Sequence, residues 1–322
     1  MRTTVAEALD SPARARDSER PPLVVGLVQT RWHADADEHA AVLLDGIASA
    51  ATAGAEVVFL PELTLLRYPA DTRPDAEPSA LAEPLADGPT FAFAARAAAE
   101  HGVIVHASLF EKADGPDGRG YNTAILVSPD GRLLARTRKL HIPVTAGYYE
   151  DHYFRPGPAT DAYPVTTLPV PSAAHVGLPT CWDEWFPELA RAYGLAGADV
   201  LAYPTAIGSE PDHPDFDTEP LWRQTIIGNA IANGLFMVVP NRWGDEGLIR
   251  FYGSSFICDP YGRVLARAPR SGDVALVASL DLAQRDDWLE LFPFLATRRP
   301  DTYGSLAADA RPSGDGTHPA QP

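Results

Sequence analysis

The chain has 322 residues, 45% hydrophobic and 9% aromatic, which is enough to build one large domain or two ordinary ones. Acidic residues outnumber basic residues by 43 to 26, and the resulting formal net charge of −17 makes nucleic acid and anionic membranes unfavourable partners. Solubility explains this acidity more simply than the steering of a cationic substrate does.

Composition divides the chain into one domain and two tails. Residues 1–22 and 305–322 are rich in Pro, Ala, Gly and charged side chains, so we expect disordered tails on either side of a domain at 23–304. We expect a cytoplasmic protein, because the chain has neither a long apolar run nor the apolar core of a signal peptide. Cys181 and Cys258 lack metal-ligand spacing, so we expect free thiols, no metal and no cofactor.

Short apolar runs alternate with helical segments along the domain. Strands are predicted at 23–29, 56–60, 103–110, 122–128, 175–180, 200–205, 236–241, 254–259 and 275–282. Helices are predicted at 38–54, 90–102, 187–197 and 221–234, each ending near a glycine. This pattern predicts an α/β fold in which two sheets pack together with helices outside. Two similar segments, "SPDGRLLAR" (128–136) and "CDPYGRVLAR" (258–267), predict hairpin turns and hint at internal symmetry.

Cys181 lies in "GLPTCWDEWFPE", between a predicted strand and a predicted helix start. Such a turn exposes its side chain, and the N-terminus of a helix favours the thiolate by lowering the thiol pKa. A free cysteine is also among the most commonly buried packing residues, and Cys258 in "SSFICD" fits that description. The segment around Cys181 leaves both interpretations open.

Two other apolar segments of the chain end in polar residues. Glu62 follows the strand in "VVFLPEL", and Lys139 follows an apolar stretch in "RKLHIP", with Glu150 eleven residues further on. Strand ends are where α/β folds assemble functional sites. Taken singly, Glu62 and Lys139 are more simply explained as exposed loop residues.

Together, Glu62, Lys139 and Cys181 resemble in type and order the Glu-Lys-Cys triad of the nitrilase superfamily of carbon–nitrogen hydrolases. The resemblance covers about residues 23–304 and is strongest to the branch of N-carbamoylputrescine amidases and β-ureidopropionases. The matching segments are "KLHIPVTAGYYEDHYFRPG" (139–157), "CWDEWFPELAR" (181–191), "YPTAIGSEP" (203–211), "NRWGDE" (241–246), "GSSFI" (253–257) and "RRPDTYG" (298–304). It implies a four-layer αββα sandwich and a homodimer or higher homo-oligomer.

The resemblance also implies a cysteine-dependent hydrolase that cleaves a linear amide or N-carbamoyl amine through a thioester and releases ammonia. Cys181 would be the nucleophile, and Glu62 the general base that takes its proton. Lys139 would stabilise the oxyanion together with the backbone N–H of Trp182. Glu150 would be a second glutamate that orients these groups or the substrate.

Trp182, Asp183, Tyr203 and Thr205 are the substrate-binding residues that the resemblance implies. Carboxylate-binding relatives carry arginines soon after the cysteine, whereas this chain has Asp183 and Glu184 there. These acids favour a cationic or neutral substrate, unless they only serve the helix dipole. Because the surrounding loops depart from the family pattern, an ω-amidase, an aliphatic or guanidino-amide amidase and an N-carbamoyl amino acid hydrolase remain alternatives.

Two other roles within the family are less favoured. A non-catalytic member that acts as an interaction protein would not need all of Glu62, Lys139 and Cys181. A glutamine-hydrolysing domain would need a partner chain to receive its ammonia, because no ATP-binding glycine loop is present.

Overall fold

Fifteen strands and five α-helices occur in residues 1–308, the part of the chain that this computed structural model describes. The strands are β1 Arg2–Val5, β2 Leu23–Gln29, β3 Val57–Phe59, β4 Ile104–Glu111, β5 Tyr121–Val127, β6 Leu133–Arg138, β7 Val165–Thr167, β8 His175–Gly177, β9 Val200–Ala202, β10 Phe236–Val239, β11 Trp243–Glu246, β12 Ile249–Tyr252, β13 Phe256–Cys258, β14 Val264–Arg267 and β15 Val274–Leu280. The helices are α1 Ala36–Thr52, α2 Pro89–His101, α3 Pro187–Leu195, α4 Glu219–Asn233 and α5 Ala283–Leu291.

The two large sheets share one pattern of strand directions. A seven-stranded sheet has the order β1-β15-β2-β3-β4-β5-β6, and a six-stranded sheet has the order β14-β13-β10-β9-β8-β7. In each sheet three central strands run parallel, β2-β3-β4 and β8-β9-β10, and antiparallel strands flank them. The two predicted hairpin turns join β5 to β6 and β13 to β14, at equivalent edges, so the hint of internal symmetry is confirmed.

Side chains alternate between the two faces of each strand, so each sheet packs against a different layer on either side. In β2, Leu23, Val25 and Leu27 face the core between the two sheets, whereas Val28 faces the layer formed by α1 and α2. Residues of α3 and α4 pack on the outer face of the six-stranded sheet. One strand thus presents one apolar face to each neighbouring layer, as strand geometry requires. The expected αββα sandwich is confirmed.

Every predicted strand and helix is present, with ends shifted by a few residues. The elements that prediction missed are β1, β6, β7, β11, β12, β14 and α5. The missed strands are short or half-exposed edges with weak apolar alternation, such as "LLARTR" in β6. Helix α5, "AQRDDWLEL", has no continuous apolar stripe. No helix in residues 1–308 combines the length and hydropathy needed to cross a membrane.

The expectation of a disordered tail at residues 1–22 is wrong. Strand β1 pairs in parallel with β15, and Thr3 lies opposite Ala275. Arg14 pairs with Asp281 and Asp287, and Arg20 donates two hydrogen bonds to a carboxylate of the folded domain. Composition missed this segment because its order comes from an unoccupied sheet edge and acidic partners elsewhere in the chain. Most of the expected C-terminal tail, residues 309–322, lies outside the described residues.

Substitution by alanine is expected to have opposite effects at a glycine that ends a helix and at a glycine inside one. Gly102 ends α2 with a φ of +67°, whereas Gly228 is an exposed position inside α4, and at neither would an added Cβ meet a neighbour within 4 Å. We expect Gly102→Ala to lower the free energy of unfolding by about 1 kcal/mol, because a Cβ disfavours the left-handed conformation. Gly228→Ala should raise the free energy of unfolding by about 0.5–1 kcal/mol, because alanine loses less backbone conformational entropy than glycine when the helix forms. Urea unfolding of both variants checks this pair, and two shifts of the same sign would contradict it.

Candidate active site

Loops from both sheets deliver the predicted residues to one region. Glu62 follows β3 and Lys139 follows β6 in the seven-stranded sheet, whereas Cys181 follows β8 in the six-stranded sheet. Cys181 has a φ of +43° and begins a short 3-10 helix, Cys181–Trp185, before α3 starts at Pro187. The predicted strand-to-helix turn is therefore present, and its backbone is strained at the cysteine.

Lys139 lies between two glutamates in the interior. Its ammonium donates to Glu62 Oε1 at 2.9 Å and to Glu150 Oε2 at 2.7 Å, and all three side chains are at most 1% exposed. Asn122 Nδ2 donates to the same oxygen of Glu62 at 2.7 Å, and the Tyr68 hydroxyl donates to Glu150 Oε1 at 2.9 Å. Buried charges require partners of this kind.

Burial and the neighbouring charges set the protonation of this cluster. Burial raises the pKa of Glu150 to about 7, and Glu62 adds to the rise while Lys139 opposes it. For Lys139 burial lowers the pKa, but Glu150 and Glu62 outweigh burial and hold it well above its ordinary value. The lysine therefore stays cationic, whereas Glu150 changes its charge near neutral pH.

Cys181 is held as a neutral thiol. Burial raises its pKa well above the ordinary value, Glu62 adds to the rise, and Lys139 only partly opposes it. The expectation that a helix N-terminus would lower this pKa is therefore wrong, because one turn of 3-10 helix cannot offset burial beside carboxylates. Glu62 Oε2 makes no hydrogen bond to any residue in 1–308, so it remains available as a proton acceptor.

A cavity of about 230 Å³ opens onto this cluster. It is lined by Pro143, Thr145, Tyr148, Glu150, Cys181, Trp182, Trp185, Ile207, Glu210, Thr218 and Leu221. Most of this surface is apolar or aromatic, and burial raises the pKa of Glu210, which is only partly exposed. None of these lining side chains is a lysine or an arginine. The space suits a small linear molecule with an uncharged or cationic end.

Of the four predicted substrate-binding residues, only Trp182 lines the cavity. The carboxylate of Asp183 accepts hydrogen bonds from the backbone N–H groups of Thr180, at 3.1 Å, and His141, at 2.9 Å. Tyr203 and Thr205 are fully buried and do not line the cavity. Asp183 thus has the contacts of a helix cap, one of the two readings that the sequence left open.

Glu184 also faces away from the cavity. It is fully buried and accepts a hydrogen bond from Trp222 Nε1 at 2.5 Å. Burial raises its pKa well above the ordinary value. Neither of the two acids directly after the cysteine lines the cavity.

Sequence reasoning missed several residues around the cavity and the cluster. Tyr148 and Glu210 line the cavity, and Asn122 and Tyr68 complete the hydrogen bonds of the two glutamates. Tyr148 and Glu210 lie within the matching segments 139–157 and 203–211, which could have identified them. Asn122 and Tyr68 carry no comparable signal, because their roles depend on contacts between distant parts of the chain.

Comparison with known proteins places the chain in one family. Residues 24–289 match the family described as carbon-nitrogen hydrolase. The chain is 36% identical to a citrullinase of Francisella tularensis over 287 residues, which are 88% of this chain and 97% of that protein. It is 39% identical to an N-carbamoylputrescine amidase of Arabidopsis thaliana over 233 residues, 70% of this chain and 75% of that protein.

A solved structure agrees with these matches. The crystal structure of a carbon-nitrogen hydrolase from Helicobacter pylori superposes with a TM-score of 0.76 and 31% sequence identity, covering 88% of this chain and 98% of that one. The fold, the family match and the relatives agree. The chain belongs to the nitrilase superfamily of carbon–nitrogen hydrolases, in the branch that resembles N-carbamoylputrescine amidases, and is a hydrolase of non-peptide C–N bonds.

Proposed function

We propose that this enzyme uses Cys181 to hydrolyse small linear ureido or amide compounds that carry a positive charge at the far end, as N-carbamoylputrescine does. The composition of the cavity carries the proposal. Cys181 and Glu210 line the same narrow space between aromatic walls, and no basic side chain is among the lining residues. A carboxylate at the far end of a substrate would meet Glu210 without a cation to balance it.

The first chemical step is attack by a neutral thiol. Glu62 Oε2 takes the Cys181 proton while the sulfur bonds to the carbonyl carbon. Burial keeps the thiolate unfavourable before substrate arrives, which protects the free enzyme from side reactions. The free lone pair of Glu62 Oε2 supports this assignment, since Lys139 and Asn122 both occupy the other oxygen.

The oxyanion then needs positive charge and hydrogen-bond donors. Lys139 supplies the charge, and the backbone N–H of Trp182 lies in the first turn of the helix, where no intrahelical carbonyl accepts it. Glu62 returns the proton to the departing nitrogen and ammonia leaves, so that Cys181 carries an acyl thioester from an amide or an S-carbamoyl group from a ureido compound. Water, deprotonated by Glu62, cleaves the thioester and frees the cysteine. Glu150 acts throughout as the partner that holds Lys139 in place.

Ammonia release from a panel of compounds tests the substrate class. The panel contains N-carbamoylputrescine, citrulline, N-carbamoyl-β-alanine, an ω-amino amide, a guanidino amide and a simple nitrile. We expect kcat/KM to be highest for a compound with a cationic far end. Citrulline has the same ureido head but carries an ammonium and a carboxylate, so its rate measures how strongly the cavity rejects a carboxylate. A clear preference for N-carbamoyl-β-alanine would contradict the proposal.

The two cysteines provide a matched test of the nucleophile. We expect Cys181→Ala to abolish ammonia release while the protein stays folded, because no other thiol lines the cavity. Cys258→Ala should keep its activity, since Cys258 packs in the core of the outer layer. Circular dichroism and an ammonia assay on both variants check this prediction. Turnover by Cys181→Ala would exclude the mechanism.

The position of Glu210 in the cavity wall predicts that its substitution changes KM according to the charge of the substrate. We expect Glu210→Gln to raise KM for a cationic substrate by about 10-fold, equivalent to about 1.4 kcal/mol of lost charge attraction, and to leave an uncharged aliphatic amide unaffected. Asp212→Asn is the control, since Asp212 is exposed on the same loop and does not line the cavity. Equal changes in KM for both substrates would show that Glu210 does not distinguish substrates by their charge.

The pKa of Glu150 predicts an acidic limb in the pH profile. Because this pKa is about 7, the carboxylate is lost as pH falls through neutrality, and with it the negative partner of Lys139. We therefore expect kcat to rise with pH between about 6 and 8. In Glu150→Gln the group no longer titrates, so kcat should be low and should lose this limb. An unchanged limb in that variant would assign the titration to another group.

A further inference from the structure

A buried ion pair lies beside the loop that follows β3. Arg242 Nη1 donates to both carboxylate oxygens of Glu246, at 2.9 Å and 2.7 Å, and the two side chains are 4% and 2% exposed. Arg242 directly precedes β11, and Glu246 ends it. Neither residue lines the active-site cavity, so the pair does not contact a substrate there.

The ion pair makes hydrogen bonds to the backbone at both ends of loop 62–68. Arg242 Nη2 donates to three backbone carbonyls, those of Glu62 at 2.7 Å, Leu63 at 3.1 Å and Leu66 at 3.2 Å. At the other end of the loop, Glu246 Oε2 accepts from the backbone N–H of Tyr68 at 2.9 Å. Leu63 has a φ of +48°, a left-handed conformation that a residue with a Cβ adopts only when its surroundings enforce it.

Loop 62–68 carries two groups of the catalytic cluster. Glu62 contacts Lys139 from one end of the loop, and the Tyr68 hydroxyl reaches Glu150 from the other. We propose that the Arg242–Glu246 pair is a positioning device, which holds this loop so that Glu62 and Glu150 keep their places on either side of Lys139. The inference rests on the proposed role of Glu62 as general base.

Arginine is the side chain suited to this task. Its planar guanidinium presents several donors in fixed directions, so one nitrogen binds carbonyls while the other binds a carboxylate. A lysine at this position would supply a charge but could not bridge both sides with the same geometry. Removing one member of the pair would also leave the other charge buried without its partner, which is costly to stability. The test must therefore separate the position of Glu62 from the stability of the protein.

Two variants make this separation. Arg242→Lys keeps the positive charge but lacks the planar guanidinium. The double variant Arg242→Met with Glu246→Met removes both charges together. We expect kcat per Cys181 active site to fall by about 10- to 100-fold in each, as for a misplaced catalytic group, with KM little changed. Alkylation of Cys181 by iodoacetamide should slow in parallel, because it also needs a base near the thiol. Active sites are counted by mass after alkylation, and thermal midpoints are recorded for each variant.

Arg67→Met is the matched control. Arg67 lies on the same loop, pairs with Asp71 and donates to the backbone carbonyls of Tyr68 and Glu246, but it makes no contact with the carbonyl of Glu62. We expect this variant to lose stability and to keep kcat per active site. Comparable thermal midpoints with unequal kcat values would therefore identify positioning instead of folding.

Three outcomes decide the inference. A kcat at the wild-type value per active site in Arg242→Lys overturns it, and so does a double variant whose kcat follows its thermal midpoint. If the double variant does not fold, Arg242→Lys decides alone. Glu62→Gln distinguishes the two levels of the proposal. An inactive Glu62→Gln with fully active Arg242 variants removes only the positioning role, whereas an active Glu62→Gln removes the proposed mechanism itself.

Discussion

The buried ammonium of Lys139 holds two carboxylates in place, and the rest of the site is arranged around that contact. Taking a charge out of water costs several kcal/mol, so the lysine and the glutamates are tolerated only as a connected group. Asn122 donates a hydrogen bond to Glu62 Oε1, and the Tyr68 hydroxyl donates one to Glu150 Oε1. Glu62 Oε2 is left without a hydrogen-bond partner among the described residues, and the proposed mechanism uses it as the proton acceptor.

Burial changes how readily the groups of this cluster gain or lose a proton. Burial holds Cys181 as a thiol and brings the pKa of Glu150 to about 7, while the carboxylates keep Lys139 cationic. In the proposed mechanism, reactivity comes from a base and an electrostatic stabiliser that the buried contacts hold in place, and no preformed thiolate is required.

The acidic side chains near Cys181 make different contacts although two of them are adjacent in sequence. Asp183 caps the short helix and Glu184 is buried against Trp222, so neither lines the cavity. Glu210, from a different loop, reaches the cavity wall. Of these acids only Glu210 lines the cavity, because adjacency in sequence does not decide which way a side chain faces.

The sequence by itself determined the alternation of strands and helices, the pairing of two sheets and the order of Glu62, Lys139 and Cys181, because apolar periodicity and short motifs are local properties of the chain. It also identified the family from six such motifs. Only the tertiary structure decided the partners of each carboxylate, the protonation of Cys181, the strand at residues 2–5 and the contacts of Arg242 with loop 62–68. These features depend on burial and on contacts between residues far apart in the chain, and a local sequence pattern indicates neither the burial nor the contacts.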